Sequence, residues 1–184
     1  MRIIAGEWRR RQLRAPAGDA TRPSADRTRE TLFAMLASRI GAFEGLTVAD
    51  LFAGSGALGL EALSRGAAQC LFVEQDDAAL RVLRDNIAAL RAGQQCTVQA
   101  GSVLTLARTA KPYDLLLLDP PYGTNAGAVA LDRLTRLGWI GPASWVALET
   151  GRSDEVDVRA LRLEAERKVG AARLSLFRWP LDES

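Results

Sequence analysis

DLFAGSGALG, residues 50–59, joins the end of a short apolar run to the start of a helical pattern. The run TVADL (47–51) predicts a buried strand, and GALGLEALSR (56–65) predicts a helix. The three glycines between them spell G-x-G-x-x-G, a loop typical of a strand–turn–helix unit that holds a ligand above the helix amino terminus. This stretch therefore predicts the first unit of a parallel α/β sheet.

Alternating patterns continue this unit along the chain. Further apolar runs predict strands at 69–74, 96–100, 114–119 and 144–149. Helical patterns separate them at 76–93, 102–108 and about 126–136. Strands that alternate with helices form a parallel sheet with helices on both faces. We therefore predict an α/β fold with a mostly parallel sheet.

The two ends of the chain depart from this alternation. Residues 163–169 and 171–179 predict a closing hairpin, which adds an antiparallel edge to the sheet. Residues 1–14 predict a short strand pair, and a helix capped by Ser24 or Asp26 is expected to run to about residue 40.

Length and composition exclude several classes of protein. The 184 residues suffice for one domain, and no apolar run approaches the roughly 18 residues of a membrane helix. The first residues, MRIIAGEWRRRQL, contain no continuous apolar stretch of signal-peptide length, so we expect a cytoplasmic location. The chain has no histidine and only Cys70 and Cys96, which excludes histidine-based nucleophilic catalysis and a zinc site built from histidine or from cysteine alone.

Positive charge is concentrated at the amino-terminal end. Residues 1–40 hold nine arginines and four acids, a net charge of +5, and the remaining 144 residues carry −3. A basic end on a mildly acidic body indicates a polyanionic partner. A solvated surface in an arginine-rich chain is an equal alternative, because 22 of the 24 basic residues are arginines.

The glycine loop predicts a cofactor that contains adenosine. Gly54 and Gly56 allow a close backbone approach, and Glu74, at the end of the second strand, can accept hydrogen bonds from ribose hydroxyls. A nicotinamide dinucleotide and S-adenosylmethionine both fit this pattern. Asp50, before the loop, suits the positive charge of S-adenosylmethionine, but the loop alone does not choose between the two cofactors.

The stretch DPPY, residues 119–122, favours S-adenosylmethionine. It follows the apolar strand at 114–119, so it is expected to lie at the same sheet edge as the glycine loop. An exocyclic amine on a base must be held so that its lone pair faces the methyl donor. Asp119 and the carbonyl of Pro120 supply two acceptors, and Tyr122 supplies a face on which an extruded base can stack.

Three stretches carry a resemblance to a known family. They are MRIIAGEWRRRQL (1–13), TRPSADRTRETLF (21–33) and DLFAGSGALGLEALSRGA (50–67). Together with DPPY, they resemble the bacterial 16S rRNA guanine-N2 methyltransferases, over nearly the whole chain. The resemblance implies a Rossmann-like class I methyltransferase fold with a seven-stranded, mostly parallel sheet. It also implies S-adenosylmethionine as cofactor and a guanine of small-subunit rRNA as substrate.

The resemblance implies roles for residues of this chain. The amine site is expected to comprise Asp119, Pro120, Pro121 and Tyr122. The cofactor site is expected to comprise Asp50, Phe52, Gly54, Gly56, Glu74 and Ser102. Ser102 departs from the family pattern, which has Asp or Asn facing the adenine amine, and a serine hydroxyl is a weaker acceptor.

Six arginines are predicted to contact RNA: Arg9, Arg10, Arg11, Arg22, Arg27 and Arg29. Ion pairs with Asp26 and Glu30 are an equal alternative for the last three. Trp8 is predicted to be buried within the amino-terminal strand pair rather than to stack on RNA. Residues 1–45 are expected to form an RNA-contacting extension, and residues 46–184 the methyltransferase domain.

The predicted function is methyl transfer to a guanine N2 amine in 16S rRNA, free or within the small ribosomal subunit. The expected protein is a monomer that needs neither a metal nor a membrane. A DNA adenine-N6 methyltransferase would use the same DPPY chemistry, but the chain has no room for a separate recognition domain. A nicotinamide-dependent dehydrogenase and a non-catalytic RNA-binding assembly factor are the further alternatives.

Overall fold

A seven-stranded sheet organises the computed structural model, which describes residues 1–18 and 23–180, without the side chains of residues 23 and 24. The strands are β1 (Thr47–Leu51), β2 (Gln69–Glu74), β3 (Cys96–Ala100), β4 (Leu115–Leu118), β5 (Trp145–Gly151), β6 (Arg162–Val169) and β7 (Ala172–Arg178). Their order in the sheet is β3-β2-β1-β4-β5-β7-β6. The first five strands in this order run parallel, and β7 and β6 close the edge as an antiparallel hairpin.

Four α-helices accompany these strands in the described part of the chain. They are α1 (Pro23–Ile40), α2 (Ala57–Ser64), α3 (Asp77–Ala89) and α4 (Ala126–Arg136). None of the described helices is long and apolar enough to cross a membrane. The predicted mostly parallel α/β fold with an antiparallel carboxyl-terminal edge is confirmed.

Strand β4 shows why the sheet is buried on both faces. Its four leucines are all inaccessible to solvent. Leu115 and Leu117 pack into one core cluster, and Leu116 and Leu118 into the other, because alternate side chains of a strand face opposite sides. Each buried leucine contributes about 1.5–3 kcal/mol of hydrophobic stabilisation.

The reversal of strand order at β1 positions the functional cleft. Strand β1 pairs with β2 on one side and with β4 on the other, so consecutive connections leave the sheet in opposite directions at this point. Ligands of open α/β sheets bind outside the carboxyl ends of strands at such a switch point. The predicted adjacency of the strands that carry Asp50 and lead into Asp119 is confirmed by the pairing of Leu51 with Leu118.

Some predicted boundaries were wrong. Helix α1 begins at Pro23 rather than at a cap formed by Ser24 or Asp26, which accords with the fixed φ of proline at a first helical position. The predicted strand pair in residues 1–14 is a single bridge between Arg2 and Gln12. The turns between them include Arg10, whose φ of 70° does not continue a strand.

Two helix predictions were also too long. Helix α3 ends at Ala89, four residues before the predicted end, and Arg91 adopts a left-handed φ of 55°. The predicted helix at 102–108 is one 3-10 turn, Val103–Thr105. Asp76, the first residue of the predicted helical pattern, caps α3: its carboxylate accepts a hydrogen bond from the Ala79 amide at 2.8 Å.

The carboxylate of Glu61 anchors the amino-terminal segment to the sheet domain. This side chain of α2 is fully buried and accepts hydrogen bonds from the amides of Ile4 at 2.9 Å and Ala5 at 3.1 Å. Ile3, Trp8 and other apolar residues of the first 45 lie in the same core cluster as the helices and strands beyond them. The division at residue 45 remains a prediction, and the burial of Trp8 is confirmed, with 7% of the residue exposed.

Candidate functional site

An open cleft of about 1310 Å³ lies at the carboxyl ends of the central strands. Its walls include the β1–α2 loop, the end of β2, the segment after β3 and the DPPY stretch after β4. The first turns of α1 and the tip of the β6–β7 hairpin also line it. The volume exceeds the roughly 300–1,000 Å³ typical of a site for one small molecule, so the cleft has room for more than one small ligand.

Two positions of the loop require glycine for different structural reasons. Gly54 has a left-handed φ of 55°, and a Cβ built on it would meet no atom within 4 Å, so its backbone faces open space. A Cβ on Gly56, at a φ of 82°, would lie 2.4 Å from a methyl of Leu83. Gly54 therefore leaves the cleft open for a ligand, whereas Gly56 permits α2 and α3 to pack closely. Phe52 lines the cleft, also with a positive φ, of 62°.

Glu74 lines the cleft and organises the backbone around it. One oxygen accepts the Gly54 amide at 2.7 Å, and the other accepts the amides of Gln75 and Asp76, each at 2.8 Å. A carboxylate offers about four acceptor positions, so one remains for a ribose hydroxyl. Ser102 also lines the cleft, where its hydroxyl accepts the Leu104 amide at 3.2 Å.

Asp50 lies beneath the loop. It is buried, and its Oδ2 accepts the Gly59 amide at 2.9 Å, while Oδ1 has no hydrogen-bond partner among the described residues. The described residues that line the cleft include neither Asp50 nor Gly56. Burial raises the pKa of Asp50 to about 8, against the lowering effect of the Gly59 hydrogen bond. Asp50 therefore supports the loop backbone at Gly59 rather than lining the cleft.

We expect Asp50→Asn to change the pH dependence of stability rather than cofactor affinity. With a folded pKa near 8 and an unfolded value near 4, the stability due to Asp50 is complete below about pH 4 and is lost as the pH rises towards 8. In the parent protein, the free energy of unfolding should fall by up to about 1.4 kcal/mol per pH unit over this range, and Asp50→Asn should not show this fall. Melting temperatures of both proteins at pH 5, 6, 7 and 8 check this.

Calorimetry with S-adenosylmethionine separates the two roles of Asp50. Asparagine keeps an oxygen for the Gly59 amide, so a structural role predicts an affinity close to that of the parent protein. A large fall in affinity together with an unchanged pH profile would show that the negative charge itself binds the cofactor.

The DPPY stretch lines the same cleft as the glycine loop and follows the strand next to β1. Asp119 is exposed, Pro120 is buried, and Tyr122 is 46% exposed. All four residues of the stretch line the cleft. The loop after it is tied to the end of β5, because one oxygen of Asp154 accepts the amides of Gly123 at 3.0 Å and Gly151 at 2.7 Å.

Glu149 is a cleft residue that the sequence analysis missed. It lines the cleft near the end of β5, and its Oε1 accepts a hydrogen bond from the Tyr122 hydroxyl at 2.5 Å. Burial raises the pKa of Glu149, against the lowering effects of this bond and of the Arg29 charge. Burial and the bond to Glu149 also raise the pKa of Tyr122. The signal that could have identified Glu149 from the sequence is its position as an acid at the end of the apolar run 144–149.

The predicted RNA-contacting arginines occupy different environments. Arg27 is exposed and lines the cleft. Arg29 is only 4% exposed: it donates to the Arg2 carbonyl and pairs with Asp26 at 3.0 Å. The structure thus favours the ion-pair interpretation of Arg29 over a phosphate contact, because its guanidinium is withdrawn from solvent. Arg22 lies outside the described residues.

The arginines at 9–11 form an exposed group beside α3. Arg9, Arg10 and Arg11 are all exposed, and Arg11 donates to the carbonyl of Ala89 at 2.7 Å, near the end of α3. None of the three is among the described residues that line the cleft. Their guanidinium groups are therefore available to a ligand that extends beyond the cleft.

Comparisons with known proteins agree on the family. The model of the family described as conserved hypothetical protein 95 matches residues 1–178. The chain is 39% identical over 150 residues to the ribosomal RNA small subunit methyltransferase D of Escherichia coli K12, covering 82% of this chain and 74% of that protein. It is 37% identical over 126 residues to the putative rRNA methyltransferase YlbH of Bacillus subtilis, covering 66% and 67%.

Solved structures show the same similarity. The putative methyltransferase yhhF from Escherichia coli superposes with a TM-score of 0.82 at 34% identity, over 97% of each chain. The putative methylase HI0767 from Haemophilus influenzae gives 0.79 at 31% identity, over 96% of this chain and 97% of that one. The predicted class I methyltransferase fold and the family resemblance are both confirmed. The chain therefore belongs to the conserved hypothetical protein 95 family, the family of the small-subunit rRNA methyltransferases D.

Proposed function

We propose that this protein transfers a methyl group from S-adenosylmethionine to the N2 amine of a guanine in small-subunit rRNA. One observation carries the proposal: DPPY and the glycine loop line the same cleft from adjacent parallel strands. The names of the family relatives support rRNA as the substrate class. The guanine N2 position rests on the resemblance and on the chemistry of the DPPY stretch.

The residues of the cleft fit the cofactor. The open space above Gly54 accommodates a ligand where any side chain would intrude, and the Glu74 carboxylate retains an acceptor position for a ribose hydroxyl. Phe52 adds an apolar surface, and Ser102 also lines the cleft. When bound, the cofactor supplies a methyl group on a positively charged sulfur.

The DPPY stretch would orient the amine. Asp119 and the Pro120 carbonyl accept its two N–H groups, so that the nitrogen lone pair points across the cleft. Tyr122 supports the extruded base by stacking, which contributes about 1–3 kcal/mol against the few kcal/mol that base extrusion costs. The methylated nitrogen is a strong acid until it loses a proton, so a carboxylate or water suffices as base, in a chain without histidine.

The exposed arginines at 9–11 would add affinity for RNA through its phosphates. We expect replacement of Arg9, Arg10 and Arg11 by alanine to weaken RNA binding and to flatten its dependence on salt. The slope of log K against log salt should fall by about 0.7–0.9 for each lost phosphate contact. Binding titrations with small-subunit rRNA at several salt concentrations measure this slope.

A matched triple variant controls for net charge. Arg136, Arg159 and Arg162 are exposed and are not among the described cleft residues. Their replacement should leave the slope nearly unchanged. Equal slopes for both triple variants would remove the 9–11 segment from the RNA interface.

Radiolabelled S-adenosylmethionine tests the proposed function. The protein is offered unmodified small-subunit rRNA, the small ribosomal subunit and duplex DNA, and the labelled nucleoside is identified after digestion. Label in N2-methylguanosine from RNA or from the subunit is the expected result. Label in DNA adenine would replace the proposal with the adenine alternative, and no label would reopen the choice of cofactor.

A further inference from the structure

Glu149 lines the cleft but has no role in the proposed methyl transfer. It is a partly buried carboxylate inside the cleft, one strand away from Asp119. Leu118 of β4 is in register with Leu148 of β5, so the two acids follow paired residues on adjacent parallel strands.

The hydrogen bond to Tyr122 locates Glu149 relative to a stacked base. The phenol hydroxyl is the outer tip of the ring, and it donates to Glu149 Oε1 at 2.5 Å. The carboxylate therefore lies just beyond the edge of the ring. The edge of a base stacked on that ring is brought towards the same carboxylate. Tyr122 uses one of about four acceptor positions, which leaves acceptors for the base.

The Watson–Crick edge of guanine matches two neighbouring acidic groups. Guanine presents two adjacent donors there, the N1–H and the N2 amine, whereas adenine presents an N1 lone pair. A site that holds only the N2 amine leaves the N1–H without a partner. We propose, on the basis of the function proposed above, that Glu149 accepts the guanine N1–H and so determines specificity for guanine.

An analogue of guanine tests this role without changing the reacting amine. 2-Aminopurine carries the same amine at C2 but has a lone pair at N1, which a carboxylate repels. The target guanine, mapped by the labelling experiment, is replaced by 2-aminopurine in small-subunit rRNA assembled by ligation. We expect the parent protein to prefer guanine by roughly 10–100-fold in kcat/KM.

Glu149→Gln should remove most of this preference. Its amide group can donate to the N1 lone pair of 2-aminopurine as well as accept from guanine, so the two substrates should differ by only about threefold. Tyr122→Phe is the matched control, because it deletes the hydrogen bond to Glu149 and keeps the ring. The parent preference should persist in that variant, even if its rate falls.

The outcomes separate the inference from the function on which it rests. An unchanged preference in Glu149→Gln, with guanine still methylated by the parent protein, overturns the role of Glu149 alone. Loss of preference in Tyr122→Phe also overturns it, because Glu149 would then act only by positioning the ring. No methylation of guanine by the parent protein overturns the proposed function itself. If Glu149→Gln melts far below the parent protein, Glu149→Asp, which withdraws the carboxylate, should show the same loss of preference.

Discussion

Replacing Asp119 with alanine is expected to abolish methyl transfer while cofactor binding survives. Asp119 is exposed in the cleft after β4, whereas the proposed cofactor contacts, Gly54 and Glu74, lie after β1 and at the end of β2. Loss of one preorganised group aimed at the reacting atoms reduces rates by roughly 10²–10³-fold. Single-turnover transfer from labelled cofactor to rRNA measures this effect, and calorimetry measures the affinity for S-adenosylmethionine.

Two further variants sharpen the Asp119 experiment. Asp119→Asn keeps one oxygen acceptor but removes the charge, so its rate should fall between those of the parent and the alanine variant. Asp157→Ala removes an exposed acid that is not among the described cleft residues, and its rate should match the parent. Loss of cofactor binding in Asp119→Ala would assign Asp119 to the cofactor site instead of the amine site.

Replacing Glu61 with alanine is expected to cause a large loss of stability. This carboxylate is 0% exposed, and it receives hydrogen bonds from two amides of the amino-terminal segment and from Arg65 Nε at 2.9 Å. It also lies 3.9 Å from the buried Arg29 Nε. Removing one partner of a buried ion pair costs about 3–5 kcal/mol, a large share of the roughly 5–15 kcal/mol that stabilises a domain.

Denaturant unfolding and hydrogen exchange together measure the consequence of Glu61→Ala. The unfolding free energy should fall by the stated amount, and the amides of Ile4 and Ala5 should exchange faster than in the parent protein. Glu155→Ala, at an exposed acid, should change the unfolding free energy by less than about 0.5 kcal/mol. A comparably small change in Glu61→Ala would show that the carboxylate does not hold the segment.

The central part of the fold was predictable from the sequence because its signals are local. The four leucines of β4, the glycines after β1 and the prolines after β4 each constrain their own backbone within a few residues. Parallel strands then bring their carboxyl ends to one edge of the sheet. The sequence alone was therefore enough to predict that the DPPY stretch and the glycine loop lie at one cleft.

The roles of Asp50, Arg29 and Glu149 could not be predicted in the same way. Each is a charged residue whose role depends on how deeply the fold buries it and on partners distant in sequence. Asp50 was expected to meet the cofactor but lies beneath the loop, and Arg29 was a candidate for RNA but pairs internally. Arg29 and Arg27 are two residues apart in one helix, yet only Arg27 is exposed.

The strand–helix alternation, the glycine loop, the DPPY stretch and the family could all be identified from the sequence, because hydrophobic period, glycine and proline act locally. Which acids line the cleft and which are buried beneath it depends on packing between segments that are distant in the sequence. Glu61 lies within helix α2 and Glu149 near the end of strand β5, and the sequence around neither residue shows which groups it contacts. Packing buries the first under the amino-terminal segment and brings the second to Tyr122, because solvation and distant partners determine what a charged group does.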